Sequence, residues 1–130
     1  MDWSHAAALL HGTGCDSLAV KMATIEDFQK LDMRVGQIVE VRDIPEARKP
    51  SFRLTIDFGP LGTRQSVAAA KTDYGSDQLL HRQVVCVFNL PPRRVAGVNS
   101  EVLVLAATEA AGTLRLLIPD PPAELGSNIT

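Results

Sequence analysis

The feature that most constrains this chain is its punctuation. Six short apolar or alternating runs, at residues 35–44, 52–58, 65–70, 83–90, 101–107 and 113–118, are separated by Pro45, Pro50, the Gly59-Pro60-Leu61-Gly62 stretch, Pro91-Pro92 and Gly97. Runs of this length between turn residues read as strands, because proline cannot donate to a ladder and glycine supplies turn conformations. The stretch Arg53-Leu54-Thr55-Ile56-Asp57 alternates polar and apolar residues, as a half-buried strand must. The pattern breaks between Lys71 and Arg82, where Ser76 is placed to cap a short helix. Short strands with one helix partway through predict a small closed all-β barrel with small helices, of the five-stranded Greek-key OB-fold type.

A chain of 130 residues, 45% apolar and 22% charged, suffices for one globular core and is short for two. No window supplies the roughly 18 apolar residues of a membrane helix, so no membrane insertion is expected. Thr24 followed by Asp27 is a capping pattern for one or two helical turns, with Ile25, Phe28 and Leu31 on one face. Met22 therefore reads as the start of a 22–130 domain. Residues 1–21 read as a non-native or disordered leader, or else as an arm that packs on the barrel or a partner. Cys15 and Cys86 are far apart, and Cys86 sits in an apolar run, so both are expected as free thiols in a reducing compartment.

Catalytic patterns are missing. There is no GxSxG elbow, and His5, His11 and His81 have no evident nucleophile beside them; His81 reads as the exposed end of the short helix. Glu26-Asp27 fits a helix N-terminus. Neither CxxC nor HExxH nor an EF-hand loop occurs, so no enzyme, cofactor or metal is expected.

Binding is better supported. The net charge is −2, yet residues 42–94 hold nine Lys/Arg against five Asp/Glu, which either builds a local anion-binding face or scatters around the barrel. The basic candidates are Arg48, Lys49, Arg53, Arg64, Lys71, Arg93 and Arg94. Among the aromatics, Phe58 and Phe88 lie in strand patterns, while Phe52 and Tyr74 flank predicted strands and are the expected exposed platforms for base stacking. Pro91-Pro92 ends one strand and sets Arg93-Arg94 on a stiffened loop, free to grip a phosphate or carboxylate or to pair with Glu101 or Glu46. These residues leave a nucleic acid and a peptide or protein equally open as partner.

Leu31-Asp-Met-Arg-Val-Gly-Gln-Ile-Val-Glu-Val, the Pro-Glu-Ala-Arg at 45–48, Leu-Thr-Ile-Asp-Phe-Gly at 54–59, Arg-Gln-Ser at 64–66, Tyr74 and the Asn-Leu-Pro-Pro-Arg-Arg-Val-Ala-Gly-Val-Asn-Ser-Glu-Val-Leu-Val-Leu of 89–105 together resemble the tRNA-binding-domain family. That OB-fold family includes free-standing bacterial proteins and C-terminal appendages of methionyl- and phenylalanyl-tRNA synthetases. The 91–105 signature looks most like its CsaA subgroup of chaperone-like proteins linked to secretion. The resemblance implies a cytoplasmic homodimer that holds unfolded or precursor polypeptides, expected as extended apolar or basic-apolar segments, with tRNA as the alternative partner. It adds Ser66 and Ser100 to the ligand-binding set. Val102 and Leu103 replace the small residue and Met of tRNA-binding relatives, and Val67 with Ala69-Ala70 replaces polar positions, which implies a more apolar cleft.

Overall fold

In the computed structural model, residues 22–130 are described; the expected leader at 1–21 lies outside them. The chain divides into two units, with the boundary between Lys30 and Leu31. In the described part of the first, α1 (Ile25–Gln29) is capped as its sequence predicts. The Thr24 hydroxyl accepts the Asp27 N–H at 3.1 Å, and the Asp27 carboxylate accepts the Thr24 N–H at 3.0 Å.

The second unit is built on β1 (Met33–Asp43), β2 (Phe52–Asp57), β3 (Thr63–Ala68), β4 (Gln83–Val87) and β7 (Leu103–Val104), hydrogen-bonded in the order β3-β2-β1-β4-β7. All pairs are antiparallel. β1 is long enough to serve two partners, pairing Gln37 with Asp57 of β2 and with Gln83 of β4. A register shift between Ile38 and Glu40 bends it, as closing a small barrel requires. The sheet curls until β3 meets residues 100–102. The Glu101 N–H donates to the Gln65 carbonyl at 2.8 Å, and the Ser66 hydroxyl donates to the Val102 carbonyl at 2.7 Å. The result is the nearly closed five-stranded, mostly β barrel expected of an OB-type domain.

The inward face supplies the core: Ile38, Phe52, Leu54, Ile56, Phe58, Leu79, Val84, Cys86 and Val102. Along β2 the alternation is strict, with Phe52, Leu54 and Ile56 buried and Arg53, Thr55 and Asp57 half-exposed. Gly36 has a steric reason. A Cβ there would sit 2.5 Å from Ile56 Cγ2 and 2.7 Å from Phe58 Cε1, so only glycine lets that ring approach β1. α2 (Ser76–Leu79) buries Leu79 against this core. Its cap is Gly75 rather than Ser76; the Gly75 N–H donates to the Gln78 side-chain oxygen at 2.6 Å, leaving Ser76 as the first helical residue.

Two hairpins complete the unit. β5 (Arg93–Val95) pairs with β6 (Val98–Ser100), and β8 (Ala106–Thr108) pairs with β9 (Leu114–Leu116). The first corrects the sequence expectation of a plain loop at 91–97. Ala96 and Gly97 take φ of 51° and 82°, the two left-handed positions of a two-residue hairpin turn.

Candidate functional site

The loop from Ile44 to Ser51 and the β5 hairpin face each other across a groove of about 590 Å³. The loop is a closed device. The Ile44 N–H donates to the Ser51 carbonyl at 3.4 Å, the Ala47 N–H to the Ile44 carbonyl at 3.2 Å, and the Ser51 hydroxyl to the Lys49 carbonyl at 2.8 Å. Ile44 and Ser51 are buried at its base, so the prolines between them hold Arg48 and Lys49 outward, both exposed. On the opposite wall, Arg93 and Arg94 are exposed as well. The floor is apolar and small: Val67, Ala69, Val95 and Ala96, with Ala47 beside the loop.

Part of the basic surface is neutralised by ion pairs, and part, including this groove, is not. Arg34, Arg42, Lys71 and Arg115 each pair with a carboxylate, Asp32, Glu40, Asp43 and Glu109 respectively. None of Arg48, Lys49, Arg93 and Arg94 makes an ion pair with a described residue. The pairing of Arg93 with Glu101 or Glu46, open from sequence, is not made. The Glu101 carboxylate instead accepts the Gln65 N–H at 2.8 Å. Glu46 is the one acid on the lining, against four cations.

The other expected site residues are distributed elsewhere. Arg53 stands on the outer face of β2, half-exposed, opposite Arg42 and Val67 in register. Arg64 lies over the Phe88 ring at 4.9 Å and donates to the Leu61 and Thr63 carbonyls. Lys71 is bound to Asp43 at 3.1 Å and sits 5.8 Å from the Phe52 ring. Neither aromatic platform is exposed as expected. Phe52 is 3% exposed, because the strand begins on it and turns its ring inward. Tyr74 packs against the core, and its hydroxyl accepts the Leu116 N–H at 3.1 Å. The Ser66 hydroxyl is buried on Val102, and the Ser100 hydroxyl accepts the Val67 N–H at 3.2 Å. Both serines are engaged in closing the barrel.

Sequence reasoning placed Val67 and Ala69 in an apolar cleft but missed Val95 and Ala96 as part of the same surface. The signal lay in the Ala96-Gly97 pair between two three-residue β-type stretches, which marks a hairpin that brings residues 93–96 back over β3.

No group of three or more His, Cys, Asp or Glu able to hold a metal occurs among the described residues, and no described helix is long and apolar enough to cross a membrane. Cys86 is buried, and desolvation pushes its thiol up to about 12. Glu40 is held below the usual carboxylate range, first by the Arg42 hydrogen bond at 2.7 Å and then by Thr55 at 3.1 Å.

Comparison with known proteins agrees with the barrel fold. Residues 33–128 match the family model of the tRNA binding domain. The chaperone CsaA of Bacillus anthracis is 44% identical, superposes with a TM-score of 0.80, and is covered over 100% of its length by 85% of this chain. CsaA of Picrophilus torridus is also 44% identical, with a TM-score of 0.78, 84% of this chain and 100% of that one aligned. The methionine–tRNA ligase of Thermococcus onnurineus is 42% identical over 110 residues, 85% of this chain, but those residues span only 15% of the ligase. With the model matched across nearly the whole barrel, the chain belongs to the tRNA-binding-domain family, and among solved structures it is similar over its barrel to the CsaA chaperones.

Proposed function

We propose that this protein is a non-enzymatic, chaperone-like binding protein that holds exposed segments of unfolded or precursor polypeptides in the groove between the 44–51 loop and β5. One observation carries the reading: four cations without ion partners stand around a floor of small apolar side chains. An apolar floor contributes about 25 cal/mol for each Å² of apolar surface it covers, and arginine forks grip carboxylates and carbonyls at the rim. The likeness to proteins described as chaperones supports the same reading. It includes a cytoplasmic homodimer: Leu103 and Leu117, exposed at 45% and 44%, give an apolar outer surface suited to a second copy. The test is light scattering from a denatured client protein diluted into buffer with this chain in stoichiometric excess. Aggregation should slow, and the Arg48→Ala/Arg93→Ala double variant should slow it less. Unchanged aggregation with the wild-type chain sinks the proposal. Sedimentation of the same sample reads the dimer.

A second reading, tRNA binding, is favoured by the family model and by the likeness to part of methionine–tRNA ligases. Four phosphate contacts from the same cations would make affinity fall roughly 50- to 150-fold between about 50 and 200 mM salt. Anisotropy of labelled tRNA measures this, and a flat salt response removes the electrostatic account.

A further inference from the structure

The groove also shows how a peptide would lie in it and which peptides it would take. Resting on the peptide-holding reading above, we infer that the occupant is an extended segment that adds as a strand to the free edge of β5, with acidic side chains flanking small apolar ones.

The edge is identified by the lining. A strand that turns a face toward a groove contributes alternate residues, because successive side chains point to opposite sides. β5 contributes Arg93, Arg94 and Val95 in succession, followed by Ala96 of the turn, and β6 contributes none, so the groove runs along the outer edge of β5. Among the described residues that edge pairs with no further strand: β5 and β6 form a sheet of two strands.

The register then assigns the free groups. Val95 faces Val98 across the two-residue turn, so this pair exchanges backbone hydrogen bonds, and so does Arg93 with Ser100 two residues on. Arg94, opposite Asn99, is the intervening residue. Its N–H and C=O point away from β6 toward the groove, with no described partner. An extended backbone is the ligand that satisfies a donor and an acceptor in that spacing.

Charge selects the sequence of the occupant. Arg48 and Lys49 on one wall and Arg93 and Arg94 on the other leave four unpaired cations against Glu46 alone. Acidic flanks would pair with them, whereas Lys or Arg flanks would meet like charge at both ends. This replaces the basic-apolar segment expected from sequence. Between the flanks, Val67 and Ala69 present an apolar floor, against which apolar side chains such as Ala and Val fit.

The experiment is fluorescence anisotropy of the full chain with labelled Ala/Val-core peptides flanked by Glu or by Lys, and with Glu-flanked peptides N-methylated at one amide at a time. The Glu-flanked peptide should bind, and the Lys-flanked one about tenfold more weakly or worse. N-methylation should cost affinity at every second amide, since only alternate amides face β5. The Arg93→Glu/Arg94→Glu variant, with its fold verified by circular dichroism, should weaken the preference for Glu flanks while keeping the two-residue alternation. Equal binding of both flanks overturns the charge selection, and an N-methyl series without alternation overturns strand addition. If none of these peptides binds while tRNA does, the peptide-holding reading itself fails.

Discussion

Ser66 belongs to the site expected from sequence, yet the structure gives its hydroxyl a different task, and the two roles can be separated by Ser66→Ala. The side chain is 1% exposed, and its hydroxyl donates to the Val102 carbonyl at 2.7 Å, 36 residues along the chain. This bond joins edge strand β3 to the segment entering β7, where the barrel closes. Removing the hydroxyl leaves a buried carbonyl without its donor, which costs about 1–3 kcal/mol. The added void is small, since only one oxygen is lost. In a unit of about one hundred residues, each kcal/mol lowers Tm by roughly 4–8 °C. Thermal unfolding followed by far-ultraviolet circular dichroism should therefore show a fall of roughly 4–24 °C. Binding to the groove, measured well below the transition, should be unchanged. A variant with wild-type Tm and lost binding would refute the structural role and return Ser66 to the ligand.

Three further outcomes are expected. Gly36→Ala drives a methyl into Ile56 and Phe58, both 0% exposed, and should destabilise the barrel by about 1–3 kcal/mol in urea titration. Cys86, with its thiol pushed up to about 12 by burial, should resist alkylation at pH 8 in the folded chain and react fully in denaturant, as read by mass spectrometry of its own peptide; rapid native labelling would show that the core opens. The Glu40 carboxylate titrates below its unfolded value, so its contribution is present above the unfolded value and is lost as pH falls through the folded one. Arg42→Ala should move the Glu40 titration upward by NMR.

Much of the barrel was readable because its strands obey simple rules. The alternation of residues 53–57 and the breakers at Pro45, Pro50 and Gly59 located β2, and the capping pattern located α1. The misreadings have physical causes. Phe52 opens the 52–58 run and was expected at its exposed flank, but it is the first residue of β2, paired with Asp43 and Ala68, and its ring is needed inside. The run 101–107 read as one strand. In the structure Leu105 divides it, donating its N–H to the Val85 carbonyl while its own carbonyl accepts from Leu117, so the chain changes partners there. Such a change is tertiary and leaves no local pattern. Among the expected cations, sequence could not separate those with carboxylate partners from those without, since Lys71 and Asp43 meet only through the fold.

The stretch from Pro91 to Val102 shows why the groove is held in place rather than carried on a pliant loop. Its first half builds the wall: β4 ends at Val87, the prolines follow at 91 and 92, and Arg93 and Arg94 stand on β5. Its second half is tied to the barrel. Ser100 accepts the Val67 N–H, Glu101 both donates to and accepts from Gln65, and Val102 accepts the Ser66 hydroxyl. Val67 is at once a floor residue and one of these anchors, bonded at 3.2 Å to Ser100, which pairs with Arg93 of the wall. A ligand meeting cations and floor in a fixed relation loses less affinity to ordering the site on binding. The same rigidity limits which ligands fit. In the proposed peptide mode a segment paired with Arg94 would run beside Val67 and Ala69, whereas a nucleic acid in the same groove would rely on the four cations, since no aromatic side chain lines it for base stacking.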